Sequence, residues 1–339
     1  MRRIGLGLSV GVALMSLGAV VPSAHARSQT DGDERRWAII VRGVGGSQEY
    51  ERQFSAWSRA LYTILRGRMA LRPDEIYYLT AETPPPSDIT VNVDRATGDA
   101  IARVFAEINK KVTEKDLIVV FLIGHGAYDG ERATFNLVGR DWSADDFARI
   151  ISQLKTRNVV FINTASASGE FIRPLGKTGA VVITATRSGR EQTATIFAEH
   201  FIAALSDDRA DFDKNGRTSV MEAFSYASKA TADWYARQGL LATEHPLLED
   251  NGDGIGHGDA TEGDGAVARH LYLDSVTAHL PSDDPELRAL ARRKEELERA
   301  IESLKGRKAQ MTAEEYEREL ERLAIELAEV NQAMRRKRK

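Results

Sequence analysis

Seven consecutive residues, Leu117–Ile123 (LIVVFLI), carry no polar side chain. A strand covered on one face alternates apolar with polar residues, whereas a run that is apolar throughout is buried on both faces. Residues 158–162 (NVVFI) and 181–185 (VVITA) read as two more buried strands, and residues 37–41 (WAIIV) and 75–79 as shorter β-type runs. Helical spacing separates them. Residues 50–66 align Phe54, Trp57, Leu61, Ile64 and Leu65, and residues 100–112 align Ile101, Val104, Phe105 and Ile108. Residues 147–154 and 195–205 are helical as well, and Pro84-Pro85-Pro86 breaks the chain in an exposed loop. Strands alternating with helices imply an α/β fold with a mostly parallel central sheet covered on both faces. In such sheets ligands sit beyond the carboxyl ends of the strands, which directs attention to the residues after each β run.

The chain has 339 residues and is 42% hydrophobic, enough to bury a substantial core in one large domain or two ordinary ones. A formal net charge of -4 leaves no whole-chain footprint for nucleic acid. Cysteine is absent, which excludes disulfides, thiolate zinc sites, iron–sulfur clusters and a cysteine nucleophile. Residues 1–26 read as an export signal: Arg2 and Arg3, an apolar run, then Ala24-His25-Ala26 as the cleavage pattern. Its removal leaves a chain with 44 basic and 50 acidic residues, no transmembrane anchor, and a periplasmic or extracellular location. Residues 27–36 are polar and read as a loose arm.

Two strand ends carry reactive side chains. His125, between Gly124 and Gly126, follows the 117–123 run, and Asn163-Thr164-Ala165-Ser166-Ala167-Ser168-Gly169 follows the next. On neighbouring strands, His125 and Ser166 form a base and a hydroxyl at a workable separation. Spacing alone also fits a hydrogen-bonded edge histidine beside a Ser/Thr-rich turn.

These residues resemble the caspase-fold cysteine peptidases of the legumain-like branch. There a His-Gly follows one buried strand, and a small-Cys-x-Ser-Gly follows the next about forty residues on. Here the counterparts are His125-Gly126 and Ala165-Ser166-Ala167-Ser168-Gly169. WAIIVRGVGG resembles the family's first strand, and VVITAT the strand after the nucleophile turn. The resemblance implies a caspase-like three-layer α/β/α domain over residues 37–280. It also implies His125 as general base, the Gly126 amide in an oxyanion hole, and Ser166 in the cysteine's place. A thiol ionises near neutral pH, but a serine hydroxyl must lose its proton during attack, usually to an oriented imidazole. Asp129, Asp141 and Glu170 are candidates for orienting His125. Two readings follow: a pseudopeptidase binding peptides or protein partners, and a serine-type hydrolase using Ser166 and His125. By the same resemblance, Arg187 and Arg190 fall where related enzymes build part of the substrate pocket, and they could meet an acidic side chain.

Residues 207–264 hold 13 acidic and 5 basic residues. Within them, residues 211–222 (DFDKNGRTSVME) match the EF-hand calcium loop throughout. Asp211, Asp213 and Asn215 supply oxygens, Gly216 the sharp turn, and Arg217 a backbone carbonyl. Ser219 takes the position often bridged by water, and Glu222 is the bidentate carboxylate. A second stretch, Glu249 to Gly254, starts in the same way, but its twelfth position is Ala260. His257 and His270 are too isolated for zinc.

From residue 285 the chain turns rich in Glu, Arg, Leu and Ala. Leu297, Ile301 and Leu304, then Leu320, Leu323, Leu327, Val330 and Met334, repeat at intervals of three and four. Gly306 separates the stretches, and Thr312 with Glu315 forms a capping box. A C-terminal helical hairpin or coiled-coil arm is expected, able to pack on the domain, within itself or in a dimer. A calcium-stabilised scaffold working through this arm is a third functional reading.

Overall fold

The computed structural model describes residues 34–259, 263–274, 284–306, 308 and 311–337. The expected export signal therefore lies outside the described residues. The elements run β1 (Arg36–Arg42), α1 (Gln48–Arg66), β2 (Ile76–Thr80), β3 (Val93–Arg95), α2 (Gly98–Lys111) and β4 (Leu117–Ile123). Next come β5 (Gly126–Tyr128), β6 (Ala133–Phe135), β7 (Trp142–Ser143), α3 (Ala144–Ile151), β8 (Val159–Asn163) and α4 (Ile172–Gly176). The remainder is β9 (Val181–Thr184), α5 (Phe197–Ala204), α6 (Val220–Gln238), β10 (Leu247–Glu249), α7 (Pro285–Gly306) and α8 (Ala313–Lys337).

Among the described residues, seven strands form one sheet in the order β10-β9-β8-β4-β1-β2-β3, parallel except for β10. β4 lies in the middle, which is why its side chains are apolar on both faces. Alternate residues feed two cores. Val119, Phe121 and Ile123 pack with Phe54 and Leu61 of α1 and Phe197 and Phe224 of α5 and α6. Ile118, Val120 and Leu122 pack with Ile101 and Phe105 of α2 and Phe147 of α3. The expected three-layer α/β/α architecture is thus present, with a helical arm behind it. The short hairpin sheet β5-β6-β7 was not legible, because strands of two or three residues carry too little period.

Helix ends follow local chemistry. Ser47 and Thr97 accept hydrogen bonds from Tyr50 N and Ala100 N at the starts of α1 and α2. Gly239, with φ 67°, closes α6 in the left-handed conformation. α7 and α8 pair within the chain, burying Leu287, Leu297, Leu304, Leu323, Val330 and Met334 against one another. The Thr312–Glu315 capping box is formed, with Thr312 Oγ1 donating to Glu315 at 2.8 Å. No helix among the described residues is long and apolar enough to cross a membrane.

A buried ionic cluster joins the arm to the sheet. Glu295 of α7 meets Arg36 of β1 at 3.2 Å and Arg217 at 3.3 Å. Arg217 also binds Asp274 at 3.0 Å, and Glu34 pairs with Arg36 and Arg299. The Arg36, Arg217 and Glu295 side chains are only 6%, 11% and 8% exposed, so removing one partner strands charge away from water. Glu295→Ala is expected to destabilise the full chain by about 3 kcal/mol. Urea unfolding checks this; a loss below about 0.5 kcal/mol would place the cluster with ordinary surface pairs.

Candidate functional site

β4 and β8 are adjacent, parallel and level: Leu122 pairs with Asn163, and Thr164 N donates to Leu122 O at 3.0 Å. The chain leaves both strands at the same edge. Gly126, the residue after His125, therefore meets the Ser166 turn. Ser166 is buried, with 3% of its surface exposed. Its hydroxyl accepts from Gly126 N at 3.2 Å and donates to Gly126 O at 3.0 Å. A Cβ on Gly126 would lie 2.4 Å from Ser166 O, so only glycine lets the two backbones meet this closely. Among the described residues no hydrogen bond joins His125 to Ser166.

The turn carrying Ser166 is held tightly. Ala167 sits in the left-handed region at φ 55°, a conformation that a non-glycine residue keeps only when its surroundings enforce it. Ser168 is fully buried, and its hydroxyl accepts from Ala185 N at 3.1 Å and Thr186 N at 3.2 Å. A Cβ on Gly169 would fall 2.3 Å from the backbone at Arg187 and Ser188. The Ser-Gly that closes the motif thus fastens the turn to the chain leaving β9.

His125 packs edge-on against Tyr50 and Phe54 of α1, with ring centroids 4.6 and 4.9 Å away. This burial pushes the imidazole's pKa down, against a hydrogen bond to the Gly45 backbone and the charge of Glu51. Glu51 in turn accepts from Gly45 N at 2.6 Å and pairs with the buried Arg42 at the end of β1. Arg42 Nε and Nη1 have no hydrogen-bond partner among the described residues. The imidazole's surroundings therefore come from the β1–α1 junction, which the sequence reading missed. The signal was Gly43-Val44-Gly45-Gly46 directly after a strand, at the edge where ligands sit.

The three acidic candidates for that role are corrected. Asp129 accepts from Glu131 N and Arg132 N in its own turn. Asp141 accepts from Leu137 N, and Glu170 from Gly189 N. Each satisfies backbone amides nearby, and none of them has a hydrogen bond to His125 among the described residues. Of the two arginines, Arg187 is tied to Glu191, with Nε 3.1 Å from the carboxylate, and Arg190 is exposed.

The 211–222 loop gathers one carboxylate oxygen each from Asp211, Asp213 and Glu222 within 4.8 Å of one another. Glu222 also accepts from Phe212 N at 2.9 Å and Ser219 Oγ at 2.8 Å, tying the loop's start to the first turn of α6. Asn215 Oδ1 accepts from Arg217 N at 2.9 Å, while the Arg217 side chain reaches Asp274. The second stretch is different. Glu249 is buried and accepts from Gly252 N at 2.5 Å, and Asp250 accepts from Gly265, Val267 and Ala268 amides. These carboxylates are used to hold backbone turns.

Residues 90–245 match the model of the Peptidase C13 family. The matched stretch contains β4, β8 and β9, and so both strand ends of the site. No curated protein matches the chain.

At the end of that stretch, Glu244 is buried and caps α5, accepting from Ile196 N at 2.8 Å and Phe197 N at 3.1 Å. Burial raises its pKa from an ordinary 4.5 to about 7, against the pull of these amides and Tyr235. Between those values the folded chain keeps a proton that the unfolded chain has released. Stability held below pH 4.5 is thus lost progressively as pH rises to about 7 and is flat above. The loss should be at most about 3 kcal/mol, and Glu244→Gln should flatten it in urea titrations across this range.

Proposed function

We propose that this C13-type chain is an exported, calcium-binding peptidase homologue that holds peptides or protein partners without hydrolysing them. One observation carries the reading. The hydroxyl standing where the family places its thiol is hydrogen-bonded in both directions to Gly126, and not to His125. A serine nucleophile needs its proton taken during attack, and here that proton is given to a carbonyl. The same contact occupies the Gly126 amide, the group expected to stabilise an oxyanion. In this reading the edge where the two strands end is the place an extended peptide would lie.

A second reading, an active serine hydrolase, is favoured by the imidazole itself. Burial disfavours its charged form, which leaves the imidazole free to take a proton, as a general base must. Labelling by a fluorophosphonate probe separates the two. The wild type is expected to remain unlabelled. Labelling that disappears in both Ser166→Ala and His125→Ala would overturn the binding-only reading.

The 211–222 loop fits a calcium ion in its donor chemistry. Three carboxylate oxygens converge there, and hard oxygen donors are what this cation takes. Asp211, Asp213, Asn215, Ser219, Glu222 and the Arg217 carbonyl would hold it. Calcium is abundant outside the cytoplasm, so even a weak site would stay filled and clamp α6 to the preceding chain. Calcium at a hundredfold excess over Kd should raise Tm by about 5 °C. EGTA should reverse the shift, and Glu222→Gln, which preserves the capping box, should abolish it in a thermal melt.

A further inference from the structure

Residues 186–195 wrap the turn that carries Ser166. Thr186 Oγ1 accepts from Gly169 N at 3.0 Å. Glu191 O accepts from Ala167 N at 2.8 Å, and Thr195 Oγ1 donates to Thr164 O at 2.5 Å. The same segment reaches across to β5, the strand that begins at Gly126. Gln192 Nε2 donates to Tyr128 O at 3.2 Å. Gly189 lies against the Tyr128 ring, where a Cβ would come within 2.4 Å of it. The segment thus bridges the Ser166 turn and β5, and Ser166 keeps only 3% of its surface exposed.

One side chain gathers the middle of this segment. The Glu191 carboxylate accepts from Arg187 N at 2.9 Å and His245 N at 3.2 Å. It also lies 3.1 Å from Arg187 Nε and 2.6 Å from His245 Nδ1. His245 belongs to the chain entering β10, so Glu191 ties the segment to a part of the fold outside the crevice. The Arg187 end of the pair is 62% exposed and the Glu191 end 12%, so the arginine end is open to competition from solvent and other charges.

We propose that residues 186–195 form a strap that closes the Ser166 crevice in the resting protein, with the Glu191 carboxylate as its latch on Arg187 and His245. A ligand enters when the latch releases and the Gln192 and Gly189 contacts to Tyr128 part. This rests on the reading of the Ser166 crevice as the ligand site. It recasts Arg187 as part of the closure.

The absence of cysteine provides the test. Ser166→Cys places a single thiol under the strap, and its alkylation by iodoacetamide reports opening without any peptide or hydrolysis. Rates are compared on the plateau above the thiol pKa, so that altered thiol ionisation does not enter. Adding Glu191→Gln or His245→Ala to Ser166→Cys should raise the rate about tenfold. Equal rates in all three proteins, with unchanged circular dichroism, would overturn the strap. If Glu191→Gln unfolds the chain, Gln192→Ala, which cuts only the bridge to Tyr128, carries the same expectation. A rise in rate in a protein that captures no peptide would refute the binding function and leave the strap standing.

Discussion

The parallel pairing of β4 with β8 is the constraint from which the site follows. β4 is covered on both faces, so none of its seven positions accepts a polar side chain without an uncompensated cost of burial. Polar groups are displaced to the strand ends. Level register with β8 then brings two of those ends together, and small residues at Gly126 and Ala165 let the backbones close. The contact between Ser166 and Gly126 is therefore a product of sheet geometry before it is a matter of catalysis.

The neighbouring elements impose different chemistry on the two members of the pair. α1 surrounds His125 with aromatic rings and favours the neutral imidazole, while the Glu51–Gly45 link fixes the loop beside it. The Ser166 hydroxyl is hydrogen-bonded to the Gly126 backbone. A thiol in that position could ionise by itself, whereas a hydroxyl depends on contact with the base. The missing cysteine and the missing His125–Ser166 hydrogen bond thus bear on the same step.

Away from the site, charge does the joining. Arg217 belongs at once to the 211–222 loop and to the ionic cluster with Asp274 and Glu295. The acidic loop, the start of β1 and the helical arm consequently share one buried junction. α7 and α8 bury Leu287, Leu297, Leu304, Leu323, Val330 and Met334 of the arm against each other.

Much of this was legible in the residue order. Buried strands announce themselves by uninterrupted apolar runs, and amphipathic helices by their period. His125 and Ser166 were visible because each directly follows such a run. The calcium-type loop was visible because its oxygen-bearing residues are contiguous. What the chain order could not display were partnerships between residues far apart. Tyr50 and Gly45 meet His125 across about eighty residues of sequence, and Glu191 meets His245 across 54. Charged residues such as Glu191 and Glu295 look like solvated surface in a linear reading, because burial depends on which elements pack over them. The sequence by itself determined the sheet, its edges and the reactive types placed there, since these follow from local periodicity and the cost of burying polar groups. Only the tertiary structure decided what packs around the histidine, what engages the serine and how residues 186–195 are tied to the Ser166 turn, because each depends on contacts that exist only once distant segments have been packed together.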